Sequence, residues 1–63
     1  MKYYIWFDVA AEYIRLYRLN GRKLEVQIDR DEWISSEYTS LQEMRTEAIS
    51  DASYKIIVKE IKL

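Results

Sequence analysis

Between Tyr13 and Asp29 the chain reads YIRLYRLNGRKLEVQID, with apolar and polar residues alternating at the period of a β-strand on both sides of one glycine. Two hairpin registers compete at this turn. A two-residue Asn20-Gly21 turn would pair Tyr17 with Leu24 and Arg15 with Val26, which mixes polar and apolar side chains on both faces. A three-residue loop, Leu19-Asn20-Gly21, with Gly21 as a left-handed bulge pairs Leu16 with Leu24, Ile14 with Val26 and Arg15 with Glu25. It gathers Ile14, Leu16, Leu24, Val26 and Ile28 on one face. A slip of one residue turns every side chain over, so the apolar pattern selects the bulged loop.

The preceding segment, Lys2 to Val9, predicts a third strand joined through Val9-Ala10-Ala11-Glu12. That connection sets Phe7 opposite Ile14 and Ile5 opposite Leu16, and adds Tyr3, Ile5 and Phe7 to the expected core face. The opposite face collects Tyr4, Trp6, Tyr13 and Tyr17 with Arg15, Lys23, Glu25 and Gln27. So many aromatics on a solvated face call for a cover, either the C-terminal segment or a second copy, or mark a binding surface.

After Asp29 the pattern changes. Asp29-Arg30-Asp31-Glu32 places acids where a helix N-terminus favours them, with Trp33, Ile34 and Tyr38 as the apolar side of a short helix. Ser40-Leu41-Gln42-Glu43 reads as a capping box opening a run with Leu41, Met44, Ala48, Ile49 and Ala52 at helical spacing. One bent helix and two helices both fit. The ending YKIIVKEIK has Ile56 and Val58 on one side and Ile57 and Ile61 on the other, as in a strand covered on both faces. The predicted fold is α+β: a three-stranded antiparallel meander, a helical region, and a final strand joining the sheet (βββαβ), in one domain over residues 1–63.

Composition narrows the function. A chain of 63 residues without cysteine, histidine or proline has no disulfide, no thiolate metal site and no imidazole base. So small a core favours self-association. Asp8 interrupts the apolar start and no run is long enough to span a bilayer, so a cytoplasmic protein without membrane contact is expected. No catalytic motif is present, and a non-enzyme with no cofactor is expected. Asp29 and Asp31 are suited to a hard cation, but the spacing of a calcium loop is absent. Residues 29–51 hold seven acids against two bases, a balance of −5, and the remainder stands at +4, which together give the net charge of −1. The acids imply a basic partner or a solvated face. Tyr4, Trp6 and Tyr17 beside Arg15 and Lys23 offer the alternative of a single-stranded nucleic-acid-binding module built on a sheet face.

The strand-Gly-Arg-strand at Gly21, the acid-aromatic series Asp31-Glu32-Trp33 with Tyr38, and the ending ASYKIIVKEIKL resemble the small uracil-DNA glycosylase inhibitors of protein-primed Bacillus phages. The resemblance runs from about Phe7 to Leu63. It departs from the pattern at Ile34, where the family has an acid, and in the length of the helical region. It implies a homodimeric DNA mimic that occupies the glycosylase's DNA-binding cleft and encloses the apolar side chain the enzyme inserts into DNA. It also implies a bacterial host cytoplasm. By resemblance Glu25, Trp33 and Tyr38 match partner-facing positions. Asp31, Glu32 and Glu37 are the further acids expected to face the enzyme, with Trp33 and Tyr38 of two subunits walling a recess.

Overall fold

Gly21 sets the geometry of the first long hairpin. In a computed structural model, which describes residues 1–50 and 56–62 (Ile49 and Ser50 by backbone alone), Gly21 has a φ of +66°. Arg22 does not share the positive φ. Asn20 pairs with Lys23, so the loop is two residues long, and glycine at its first position marks a type II′ turn. The ladder runs Asn20–Lys23, Leu19–Leu24, Arg18–Glu25 and Tyr17–Val26. The expected bulged loop and its Arg15–Glu25 pairing are therefore corrected. The two-residue turn follows the right-handed twist of the strands without an extra residue, and it sets Arg18 across from Glu25.

Six elements follow in order: β1 (Lys2–Asp8), β2 (Tyr13–Asn20), β3 (Lys23–Asp29), β4 (Glu32–Ser35), α1 (Leu41–Ser50) and β5 (Ile56–Ile61). They form one antiparallel sheet in the order β4-β3-β2-β1-β5. The β1–β2 connection is as expected: Phe7 faces Ile14, Ile5 faces Leu16, and residues 9–12 link the strands. Asp8 Oδ1 accepts from the backbone N–H groups of Ala10 and Ala11, each at 3.1 Å, and Glu12 closes the turn at a φ of +53°. The final strand joins the sheet, as expected, and the folded chain sets it beside β1.

The short helix expected to start at Asp29–Glu32 and to carry Trp33, Ile34 and Tyr38 is absent; a strand, β4, stands at Glu32–Ser35 instead. β4 pairs with β3 through Glu25–Ser35, Val26–Ile34 and Gln27–Trp33, with a register shift between Gln27 and Asp29. Two helical turns are marginal alone, whereas a hairpin onto an existing strand closes a very short loop. It also places the β-formers Trp33 and Ile34 on opposite faces. The meander thus has four strands, not three, and among the described residues the helical region is one helix, Leu41–Ser50.

That helix begins as the sequence indicates. Ser40 Oγ accepts from the Glu43 N–H at 3.1 Å. The Glu43 carboxylate reaches back to the N–H of Thr39 at 3.0 Å and to its hydroxyl, one residue earlier than a standard capping box. Leu41, Met44 and Ala48 turn toward the sheet, and Met44 is fully buried. Ala52 lies outside the described residues, as do Asp51, Tyr54, Lys55 and Leu63.

The helix covers the face opposite to the one expected. Buried residues are Tyr4, Tyr17, Leu24, Val26, Met44 and Ala48, with Trp6, Leu19, Tyr38, Leu41 and Val58 packed around them. Tyr4 and Tyr17 stand opposite each other in the ladder. The two large rings bury more apolar surface than isoleucines would, and the Tyr17 hydroxyl finds an acceptor in Glu37 at 3.4 Å. Ile14 and Ile28, expected in the core, are exposed.

Two stability measurements check this arrangement. Gly21→Ala should lower stability by about 1 kcal/mol from backbone strain, since no atom lies within 4 Å of the added Cβ. D-Alanine at the same position should recover that loss in a chemically synthesised chain. Met44→Ala should cost about 2–5 kcal/mol in denaturant unfolding, and Ile14→Ala well under half of that, because only the former leaves a cavity. An equal cost at both sites would refute the assignment of faces.

Candidate protein-binding site

Antiparallel connectivity sorts the charges along the strand direction. The β1–β2 and β3–β4 turns lie at one end of the sheet and carry Asp8, Glu12, Asp29, Asp31 and Glu32 against the single base Arg30. The other end carries Lys2, Arg22, Lys23 and Lys62. At the acidic end Gln27 Nε2 donates to the Arg30 carbonyl at 2.8 Å, and Asp29 Oδ1 accepts from the Arg30 N–H at 2.7 Å. These bonds shape the turn and leave Asp31 and Glu32 exposed.

The same end opens a cleft. The β2–β3 ladder extends from the turn only as far as Tyr17–Val26, and the shift near Ile28 bends β3 away. A depression of about 290 Å³ results, lined by Tyr13, Arg15, Val26, Gln27, Ile28 and Glu37. Tyr13 and Ile28 are each about half exposed at its margins. Within it Arg15 Nη1 donates to Glu37 Oε1 at 3.2 Å, and the guanidinium lies over Trp6 at 4.9 Å and over Tyr13 at 5.3 Å. Burial pushes the Tyr17 hydroxyl above its ordinary pKa, so the phenol stays neutral and donates to Glu37.

The six residues singled out from the sequence separate onto three surfaces. Asp31 and Glu32 belong to the acidic end. Glu37 forms part of the cleft, paired with Arg15, and Tyr38 packs on Tyr17 with ring centroids 6.2 Å apart. Glu25 and Trp33 lie across the sheet from these, on the face without a helix. There Arg18 Nε donates to Glu25 Oε1 at 2.8 Å, and the guanidinium stacks 4.2 Å from the Trp33 ring, which meets Tyr3 edge-on at 6.0 Å. Trp33 and Tyr38 of one chain therefore cannot face each other. Tyr4 and Tyr17 are buried beneath the helix, so the stacking platform they were expected to form with Trp6 is closed.

Tyr13, Arg15 and Ile28 were not singled out as a unit. The parity of connections is the signal that groups them: in a meander the first and third turns share an end, and both are acidic here. Among the described residues no group of three acids is arranged to hold a metal ion, and no helix is long and apolar enough to cross a membrane.

The Arg18 guanidinium, through its hydrogen bond, holds the Glu25 carboxyl below the usual 4.5, and the Thr39 hydrogen bonds do the same for Glu43. A carboxyl with a lowered pKa stabilises the fold above its unfolded value, and that contribution is lost as pH falls through the folded value. Denaturant stability should thus decline as the pH falls below the ordinary carboxylate range, and Glu25→Gln should lower stability near neutrality and flatten the decline. An unchanged slope in the variant would show that the Arg18–Glu25 pair adds nothing.

No known protein family, curated protein or solved structure matches this chain.

Proposed function

We propose that the protein is a protein-binding inhibitor that docks its acidic end onto the basic, DNA-binding surface of an enzyme, with uracil-DNA glycosylase as the first target to test. One observation carries this reading: a cleft with Tyr13 and Ile28 at its margins and the Arg15–Glu37 ion pair inside it opens at the end where five acids gather. A mimic of DNA needs carboxylates where phosphates would lie and an apolar recess for a probing side chain. Carboxylates and a cleft with two apolar side chains at its margins lie together at this end of the sheet, which supports the reading. Tyr13 and Ile28 take the recess role that the resemblance implied for Trp33 and Tyr38 of two subunits. Asp31 and Glu32 keep the role of facing the basic rim.

The acids attract a basic cleft over distance, so they govern association and its salt dependence. The recess governs residence once docked. Asp31→Lys with Glu32→Lys should therefore slow association with the glycosylase and flatten its dependence on ionic strength. Tyr13→Ala or Ile28→Ala should mainly speed dissociation, by about 2 kcal/mol where the side chain is a hot spot. Uracil-excision kinetics and surface-plasmon measurements on folded variants read these effects. Absence of inhibition by the parent chain would remove the glycosylase from consideration.

A further inference from the structure

We infer that the outer edge of β5 is a docking site for an extended, acidic segment of another protein, which adds a further strand to the sheet. β5 ends the strand order on one side, so its second backbone edge has no pairing strand among the described residues. In an antiparallel ladder alternate residues turn their N–H and C=O groups outward, and on an edge strand these stay open to a further strand. The two edges of this sheet differ. β4 has four residues and its ladder shifts register, whereas β5 has six and pairs with β1 without a shift. β5 holds neither glycine nor proline. It presents about 20 Å of regular backbone.

A groove beside that edge offers the added strand a place for a side chain. Arg45 and Ala48 of α1 and Ile56 and Val58 of β5 line a depression of about 180 Å³. Ile56 and Val58 alternate along the strand, so they share its helix side, where Val58 stands opposite Trp6. A strand about 4.8 Å beyond β5 runs along the outer margin of this depression. Its helix-side residues then lie beside Ile56 and Val58 under the flank of α1. Its other residues meet Ile57, which is 48% exposed. In strand addition the main-chain bonds give affinity, and a pocket for alternate side chains gives selectivity, here for an aliphatic residue.

Charge selects the occupant. Arg45 and Glu47 sit on opposite flanks of α1, the first toward Val58 and the second toward Tyr38. Arg45 lies 6.0 Å from the Tyr4 ring and stays exposed. The β5 side thus carries Arg45, Lys59 and Lys62 against Glu60. One strand in, Lys2 and Asp8 offset each other at the two ends of β1. A second copy pairing edge to edge would keep both helices on one side of the joined sheet. Arg45 and Lys59 of each chain would then approach the same cations of the other, and lysine on an edge strand discourages such self-pairing. Those cations favour a strand that carries carboxylates, so repulsion and attraction both point to an acidic partner. A nucleic acid brings phosphates but no row of backbone donors and acceptors to continue the ladder.

This inference stands apart from the proposed function, because the groove shares no lining residue with the cleft beside Tyr13. The probe is the capped peptide acetyl-Thr-Val-Glu-Val-Glu-Val-Thr-amide, whose valines match the groove side while a glutamate stands opposite Lys59. At about 1 mM peptide, amide hydrogen exchange should slow at alternate residues of Ile56–Ile61 and stay unchanged at those already bonded to β1. N-methylating the peptide at its valines or at its glutamates blocks one backbone edge or the other, so one of these two peptides should lose the protection and the other keep it. A peptide with lysine in place of both glutamates should bind at least about tenfold more weakly. Arg45→Glu with Lys59→Glu, both exposed positions, should reverse that preference. If the double variant fails to fold, the two peptides compared on the parent chain decide the charge argument. Unchanged exchange along β5, protection that survives both N-methylated peptides, or equal binding of the lysine peptide would each overturn the inference. So would β5 protection that appears without peptide and grows with chain concentration, which would assign the edge to a second copy.

Discussion

The register of β2 against β3 governs the rest of this structure. Because Gly21 and Arg22 alone form the turn, Leu24 and Val26 share a face with Tyr17 and Leu19, and that face receives the helix. One more residue in the turn would send Leu24 and Val26 to the other side. Met44 would then meet charged side chains, and Arg18 would lose Glu25. Everything that follows, from the buried tyrosine pair to the open isoleucine row, depends on where the chain reverses.

This register leaves both faces apolar, which is an expensive arrangement for a chain this short. One helix of 10 residues covers one face, and its cover comes mainly from Leu41, Met44 and Ala48. Among the described residues the other face is shielded in part by Trp33, which lies over Arg18 toward Tyr3. An aromatic ring over a paired guanidinium excludes water from the ion pair without a second layer of structure. It does not reach Ile14 or Ile57, which stay about half exposed.

The acidic end arises by a different route. The charges sit in turns, not in a helix, and the meander brings two turns together that lie some twenty residues apart in sequence. Local bonds from Asp8 and Asp29 to nearby backbone N–H groups hold the turns, so these acids also shape the loops. Glu37 contributes through its bond to Arg15 instead of through free charge. Carboxylates available to a basic partner are therefore fewer than the net balance of residues 29–51 suggested, and Asp31 and Glu32 are the clearest of them.

Sequence alone determined the strand character of residues 2–29, the β1–β2 connection, the capped start of the helix at Ser40 and the return of the final strand to the sheet. Each rests on a local rule: alternation, a short polar turn, a cap within one turn of its donor. The face that is buried, the strand at Glu32–Ser35 and the cleft beside Tyr13 were decided only in the folded chain. Alternation that is apolar on both faces does not say which side the helix will cover, because either register hides greasy residues. Tertiary packing broke the tie through the volume of Tyr4, Tyr17 and Met44, and through partners such as Glu25 and Glu37 that no spacing rule brings together.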